Sequence, residues 1–204
     1  MGLQPSLSLR VVDGCRLDEE RRRALRPAEL VRDRQGRARR LPRYYYQVPS
    51  WDEALATQLT PHFGLWELLD VDFREDPWAR KYPRYVPCAI SLLAAQLEVF
   101  RMRVGTVVRI AANGAYRSPS HSHSSVASPH MWGVAADIYR IGDELMDSRD
   151  RIEKYTRLAR EVLPGVWTRP FGEGPGYAFD HVHIDLGFAQ VVPHDAADEE
   201  EKDR

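Results

Sequence analysis

The chain has 204 residues, 29 Lys and Arg against 30 Asp and Glu, a formal net charge of −1 and 43% hydrophobic residues. That length sustains one domain with a real core, and the near-zero charge gives no general affinity for nucleic acid or an anionic membrane surface. No apolar run approaches the ~20 residues of a membrane helix, and Cys15 and Cys88 form neither a disulfide framework nor a Cys-x-x-Cys knuckle. The first ten residues lack the apolar core of a signal peptide. The expectation is a soluble protein, cytoplasmic by default, with phage lysis or a leader missing from this sequence as the other routes.

From Arg10 to Arg43 the chain is rich in arginine, densest at Arg21-Arg22-Arg23 and Arg39-Arg40. Asp18, Glu19, Glu20, Glu29 and Asp33 are interspersed, so a solvated helix face and loop is expected in preference to a basic patch for an acidic polymer. Residues 1–59 read as an accessory segment packed on or leading into a domain at 60–192, and the acidic stretch 193–204 reads as a disordered tail. Tyr44-Tyr45-Tyr46 is a short strand or packing cluster. Ser50 is an N-cap with Glu53 completing a capping box, and His62 is a surface or capping residue.

Ile90, Leu93, Ala94, Leu97 and Phe100 recur at helical spacing and predict a helix over 86–102. A β-branched run at 107–111 predicts a strand that delivers Tyr116 and Arg117. Residues 119–129 are a Ser-rich loop, 134–141 a second strand, and 148–163 a helix with Ile152, Tyr155, Leu158 and Val162 on one face. A Gly- and Pro-rich turn over 165–176 precedes a third strand at 179–188. A few strands with segregated helices and no βαβ repeat mean an α+β fold, a small antiparallel sheet with flanking helices.

Two strings carry the chemistry: Ser128-Pro-His130-Met-Trp-Gly133-Val-Ala-Ala-Asp137 and Asp180-His181-Val-His183. Two imidazoles and a carboxylate from separate segments suit a catalytic zinc with three protein ligands and one position for water. The metal's residual charge acidifies that water, so a metallohydrolase is expected. On regular strands Ala135, Asp137 and Tyr139 share one face, opposite Val134, Ala136 and Ile138. His181, His183 and Asp185 likewise share a face opposite Val182 and Ile184. The two polar faces can meet, with His130 reaching in from its loop and Gly133 letting that loop turn.

Together with Ala115-Tyr116-Arg117-Ser118-Pro119, these strings resemble the zinc D-alanyl-D-alanine carboxypeptidases and dipeptidases. Related sequences include phage endolysins that cut peptidoglycan stem peptides, and the hedgehog signalling domain shares the fold. The resemblance spans residues 60–190, its sharp motifs lie at 115–141 and 177–187, and Phe63-Gly-Leu65-Trp-Glu67 resembles the family's short Phe-x-Leu-x-Glu helix. It implies a hedgehog/DD-peptidase-like fold, with His130, Asp137 and His183 as Zn2+ ligands and Asp180 as general base. It also implies that His181 stabilises the oxyanion beside the metal and that Arg117 holds a substrate carboxylate, which suits its planar fork of donors.

The implied reaction is hydrolysis of a D-alanyl or peptidoglycan stem peptide. An endolysin-type L-Ala-D-Glu endopeptidase, an inactive wall-peptide-binding module, a non-haem iron oxygenase and a tail-associated protein working through its arginine-rich front are the alternatives. Strict alternation puts Asp180 on the face opposite His183, so it serves as base only if the chain bends at Phe179–Asp180. Gly174-Pro-Gly176 favours such a bend, and Glu173 is the substitute base. Asp185 is a candidate acceptor for a ligand's ring N–H, Ser128 a loop-orienting residue, and His121 and His123 rim or solvated surface residues.

Overall fold

The computed structural model describes residues 9–124 and 126–194. The N-terminal part contributes β1 (Val11–Asp13), α1 (Glu19–Leu25), the hairpin β2 (Leu30–Arg32) and β3 (Ala38–Arg40), β4 (Tyr44–Val48) and α2 (Trp51–Ala56). There follow β5 (Gln58–Thr60), β6 (Phe63–Gly64), the single turns α3 (Leu65–Leu68) and α4 (Pro77–Arg80), β7 (Arg84–Pro87) and α5 (Ile90–Val104). The last third holds β8 (Val108–Ile110), β9 (Ala135–Ile141), β10 (Glu144–Leu145), α6 (Arg149–Val162), β11 (Trp167–Thr168) and β12 (Val182–Asp185). The architecture is α+β with small antiparallel sheets.

One sheet orders β1, β4 and β7, so strands from the first fifty residues pair with a strand beyond residue 80. The larger sheet is built on β9. Ile138 pairs with both Ile110 of β8 and Val182 of β12, which places those strands on opposite edges of β9. β11 extends the sheet beyond β12. Alternation then separates two faces. Ala136, Ile138, Val182 and Ile184 enter the main core with Leu93, Leu97, Ile152 and Ala159 of α5 and α6. Ala135, Asp137, His183 and Asp185 take the other face.

Several elements are shorter than their sequence pattern predicts, for identifiable reasons. The helix expected from residue 86 starts at Ile90, because Val86 pairs with Tyr46 and Pro87 with Tyr45 in β7. A residue before proline is biased to extended backbone, so Val86 goes to the sheet. Ser50 caps α2 as expected, its hydroxyl accepting from Glu53 N at 3.1 Å. Pro61 and Gly64 interrupt the segment 60–69, which forms the β5–β6 pair and one helical turn. The strand expected over 179–188 is regular only from Val182 to Asp185. Among the described residues no helix is long and apolar enough to cross a membrane.

Within the arginine-rich front, Asp18 caps α1 and accepts from Arg21 N at 2.9 Å. The β2–β3 turn closes on the buried Asp33 carboxylate. Asp33 Oδ1 accepts from Gln35 N and Arg37 N at 3.0 and 2.9 Å, and Oδ2 accepts from Arg37 Nε and Arg39 Nε at 2.9 and 3.0 Å. Desolvation alone would raise the Asp33 pKa, but these donors outweigh it and hold the group at about 2. The hairpin is pinned beside the larger sheet: Trp132 Nε1 donates to Arg40 O at 3.0 Å, Ala127 N to Arg32 O at 3.0 Å, and Arg39 lies 4.4 Å over the Phe188 ring. The acidic tail expected beyond residue 194 lies outside the described residues.

Candidate metal centre

His130 sits on a 3-10 turn, Pro129–Trp132, which ends at Gly133 in the left-handed region (φ 68°). Most side chains would be strained there, so glycine lets the chain turn straight into β9. Asp137 lies mid-β9 and faces His183 directly across the ladder. Its backbone is gripped by the preceding turn, with Asp137 N donating to Gly114 O at 2.7 Å and Ala111 N to Asp137 O at 2.9 Å. A Cβ on Gly114 would lie 2.5 Å from Ala111 O and 2.9 Å from Asp137 O, so no larger residue fits that turn.

One ligand atom from each of His130, Asp137 and His183 lies within 4.8 Å of the others, and this group can hold a metal ion. The ring partners show how the nitrogens are oriented. His130 Nδ1 lies 2.8 Å from Ala115 O, so it carries the proton and leaves the Nε2 lone pair facing Asp137 Oδ2 at 3.5 Å. His183 Nε2 lies 2.9 Å from Asp185 Oδ2 and its Nδ1 2.6 Å from Asp137 Oδ1. Asp185 is itself fixed by Gly187 N at 2.8 Å, so it can orient a ligand imidazole as the sequence suggests.

His181 joins from just before β12, where the chain bends. Its Nδ1 is 2.6 Å from Asp180 Oδ1, and its Nε2 is buried 3.3 Å from Asp137 Oδ1. The Nε2 atoms of His130 and His181 have no hydrogen-bond partner among the described residues. Buried polar atoms are rarely left without one. A lone pair and a carboxylate facing one another need a positive charge between them, and a cation held by His130, Asp137 and His183 satisfies the His130 Nε2 and leaves that of His181 beside it. The residues therefore fit a metal ion.

Protonation states agree. Burial pushes the His130 imidazole down to about 4, against the attraction of Asp137. Burial would raise Asp137, yet the facing imidazoles hold it well below the usual carboxylate range. A neutral imidazole beside an ionised carboxylate is the state in which both bind metal.

The chain matches no protein-family model, no curated protein and no solved structure. The site is therefore read from its own geometry.

Arg117 Nη2 lies 3.5 Å from Asp137 Oδ2, and Arg117 N donates to His130 O at 3.2 Å. The next residue is locked from a distance: the buried Glu75 carboxylate accepts from Ser118 N at 2.8 Å and Ser118 Oγ at 2.6 Å. Nothing local marks Glu75 in the sequence, because its role exists only through a residue 43 positions away. Asp180 is exposed and directed at the His181 ring, Glu173 is exposed, and His62 pairs with Glu98 at 2.5 Å on the surface. Ser128 and His123 line a cleft that His183, Asp185 and Arg117 also line.

His121 differs from its expected rim or surface place. It is buried, with Nδ1 accepting from His123 N at 3.0 Å and Nε2 donating to Asn113 Oδ1 at 3.0 Å. Desolvation, helped by the Arg117 charge, lowers its pKa from 6.5 to about 4. The unfolded chain thus takes up this proton near 6.5 and the folded protein only near 4. Stability contributed here is complete above pH 6.5 and is lost as pH falls toward 4. His121→Gln should flatten the fall in unfolding free energy across that window, measured by urea titration at successive pH values; an unchanged slope would show that His121 does not report on it.

Proposed function

We propose that the protein is a zinc-dependent peptidase of the D-alanyl-D-alanine carboxypeptidase type, with a hedgehog/DD-peptidase-like fold and peptidoglycan stem peptides or D-alanyl peptides as substrates. The observation that carries this reading is the convergence of His130, Asp137 and His183, each backed by its own hydrogen-bond partner, with His181 Nε2 aimed at the same carboxylate. Two nitrogens and one carboxylate oxygen match zinc's preference and leave a coordination position open.

When bound, zinc supplies Lewis acidity, lowering the pKa of water and polarising a carbonyl. Asp180 and His181 supply the proton chemistry as a pair. The His181 Nε2 lone pair takes a proton from the attacking water, and Asp180, on Nδ1, stabilises the resulting imidazolium and keeps the ring oriented. The same proton then passes to the leaving amine. The simpler assignment, Asp180 itself as the base, needs its carboxylate to leave the His181 ring. Arg117, beside Asp137, anchors a substrate carboxylate, and Trp167, ring centroid 5.6 Å from that of His183, lines the same cleft.

The reading is tested with zinc-loaded protein and a panel of D-alanyl peptides, scoring released D-alanine and internal cleavage products. Release of terminal D-alanine is expected. Cleavage only within the stem would favour the endopeptidase alternative. Stoichiometric zinc with no hydrolysis of any member would overturn the peptidase reading in favour of a binding module.

A further inference from the structure

The hairpin β2–β3 takes no part in the chemistry proposed above, yet its turn forms one wall of the cleft that opens onto His183 and Asp185. That cleft has a volume of about 550 Å³, within the range of small-ligand sites. Four arginines line it: Arg34 and Arg37 from the hairpin, Arg117 from the loop after β8, and Arg169 just after β11. They are not equivalent. Arg37 is committed to the Asp33 carboxylate, which it shares with Arg39. Arg34, exposed at the tip of the same turn, has no ion pair or hydrogen bond among the described residues, and its Nη1 lies 3.7 Å from the position a Cβ on Gly176 would take. Arg169 has a buried Nε with no partner, as does Arg117.

A buried guanidinium nitrogen without an acceptor is costly, and an anion in the cleft would supply one to Arg117 Nε and Arg169 Nε.

We infer that Arg34 and Arg169 form a second anion-binding subsite, so that the cleft selects substrates carrying two carboxylates, one held by Arg117 and one by this pair. This rests on the peptidase reading for the Arg117 end and narrows its substrate class to dianionic peptides. The N-terminal hairpin thereby acquires a role in recognition, since its turn brings Arg34 into the cleft that His183 also lines.

The test is calorimetric titration of the full chain, as purified, with pimelate and with its monoanionic counterpart hexanoate, metal content being measured in parallel. Pimelate should bind at least about tenfold tighter than hexanoate. Arg34→Gln and Arg169→Gln should each weaken pimelate about tenfold and leave hexanoate unchanged, while Arg117→Gln weakens both. Arg34 is exposed, so its substitution leaves the core intact. Equal affinities for the two acids, or pimelate binding indifferent to Arg34→Gln, would overturn the second subsite. The titration needs no turnover: folded protein that takes up no zinc defeats the peptidase reading, whereas zinc-loaded protein without preference for pimelate defeats only the subsite.

Discussion

Protein purified without chelator is expected to carry about one zinc per chain, and His183→Ala to carry none. His183 is fully buried, with Asp137 Oδ1 at 2.6 Å on one nitrogen and Asp185 Oδ2 at 2.9 Å on the other. Removing the ring takes away a ligand and leaves two carboxylates facing one another across the vacated space. Asp185→Asn is the milder companion. It keeps all three ligands and disturbs only the group that orients one of them, so zinc affinity should fall about 10–100-fold. Metal analysis of the purified proteins, with thermal unfolding to confirm that each is folded, decides the matter. Folded wild-type protein that holds no zinc and takes none up on addition would remove the basis for hydrolysis.

The second large effect concerns the proton. Asp180→Asn and His181→Gln should both retain zinc, because neither residue is among the three ligands, and both should lower kcat by about 10²–10⁴-fold. Their order is informative. If His181 holds the transferred proton and Asp180 orients it, His181→Gln is the more damaging, since the asparagine can still accept the Nδ1–H. If Asp180 is itself the base, Asp180→Asn is at least as damaging. Retention of full kcat in both variants would take the proton transfer away from this pair and point to Glu173, the substitute base, as the next residue to replace.

Much of the fold was legible because its signals are periodic. The face of α5 through Ile90, Leu93, Leu97 and Phe100 is continuous in the sequence and continuous in the core. The alternation in β9 and β12 set Asp137 and His183 on one face before any pairing was known, and the ladder pairs them directly. Asp180 looked misplaced under strict alternation; it lies before the regular strand, where the chain bends, and its carboxylate meets the His181 ring.

What stayed hidden depends on partners distant in sequence. Val86 carries helical context in its own neighbourhood, but β4 claims it through Tyr46. His121 stands in a Ser-rich string that reads as exposed, and its distant partner Asn113, held at φ 58°, is invisible from that string. Glu75 looks like one more charge in a polar stretch until Ser118 arrives. The interspersed acids of the arginine-rich front suggested solvation, whereas Asp33 is a buried hub that shapes a turn over the cleft.

The order of strands along the chain also sets when the protein can begin to act. β12 is an interior strand, inserted between β9 and β11, and it delivers His183 and Asp185 after everything else in the two sheets has been synthesised. A nascent chain that has displayed the hairpin, Arg117, His130 and Asp137 still has only two of the three ligands and an open sheet edge. Pairing across such sequence separations is slow compared with local helix formation. Assembly of the metal centre therefore coincides with closure of the sheet. Translation products cut short before β12 are left without the third residue of the metal-binding group.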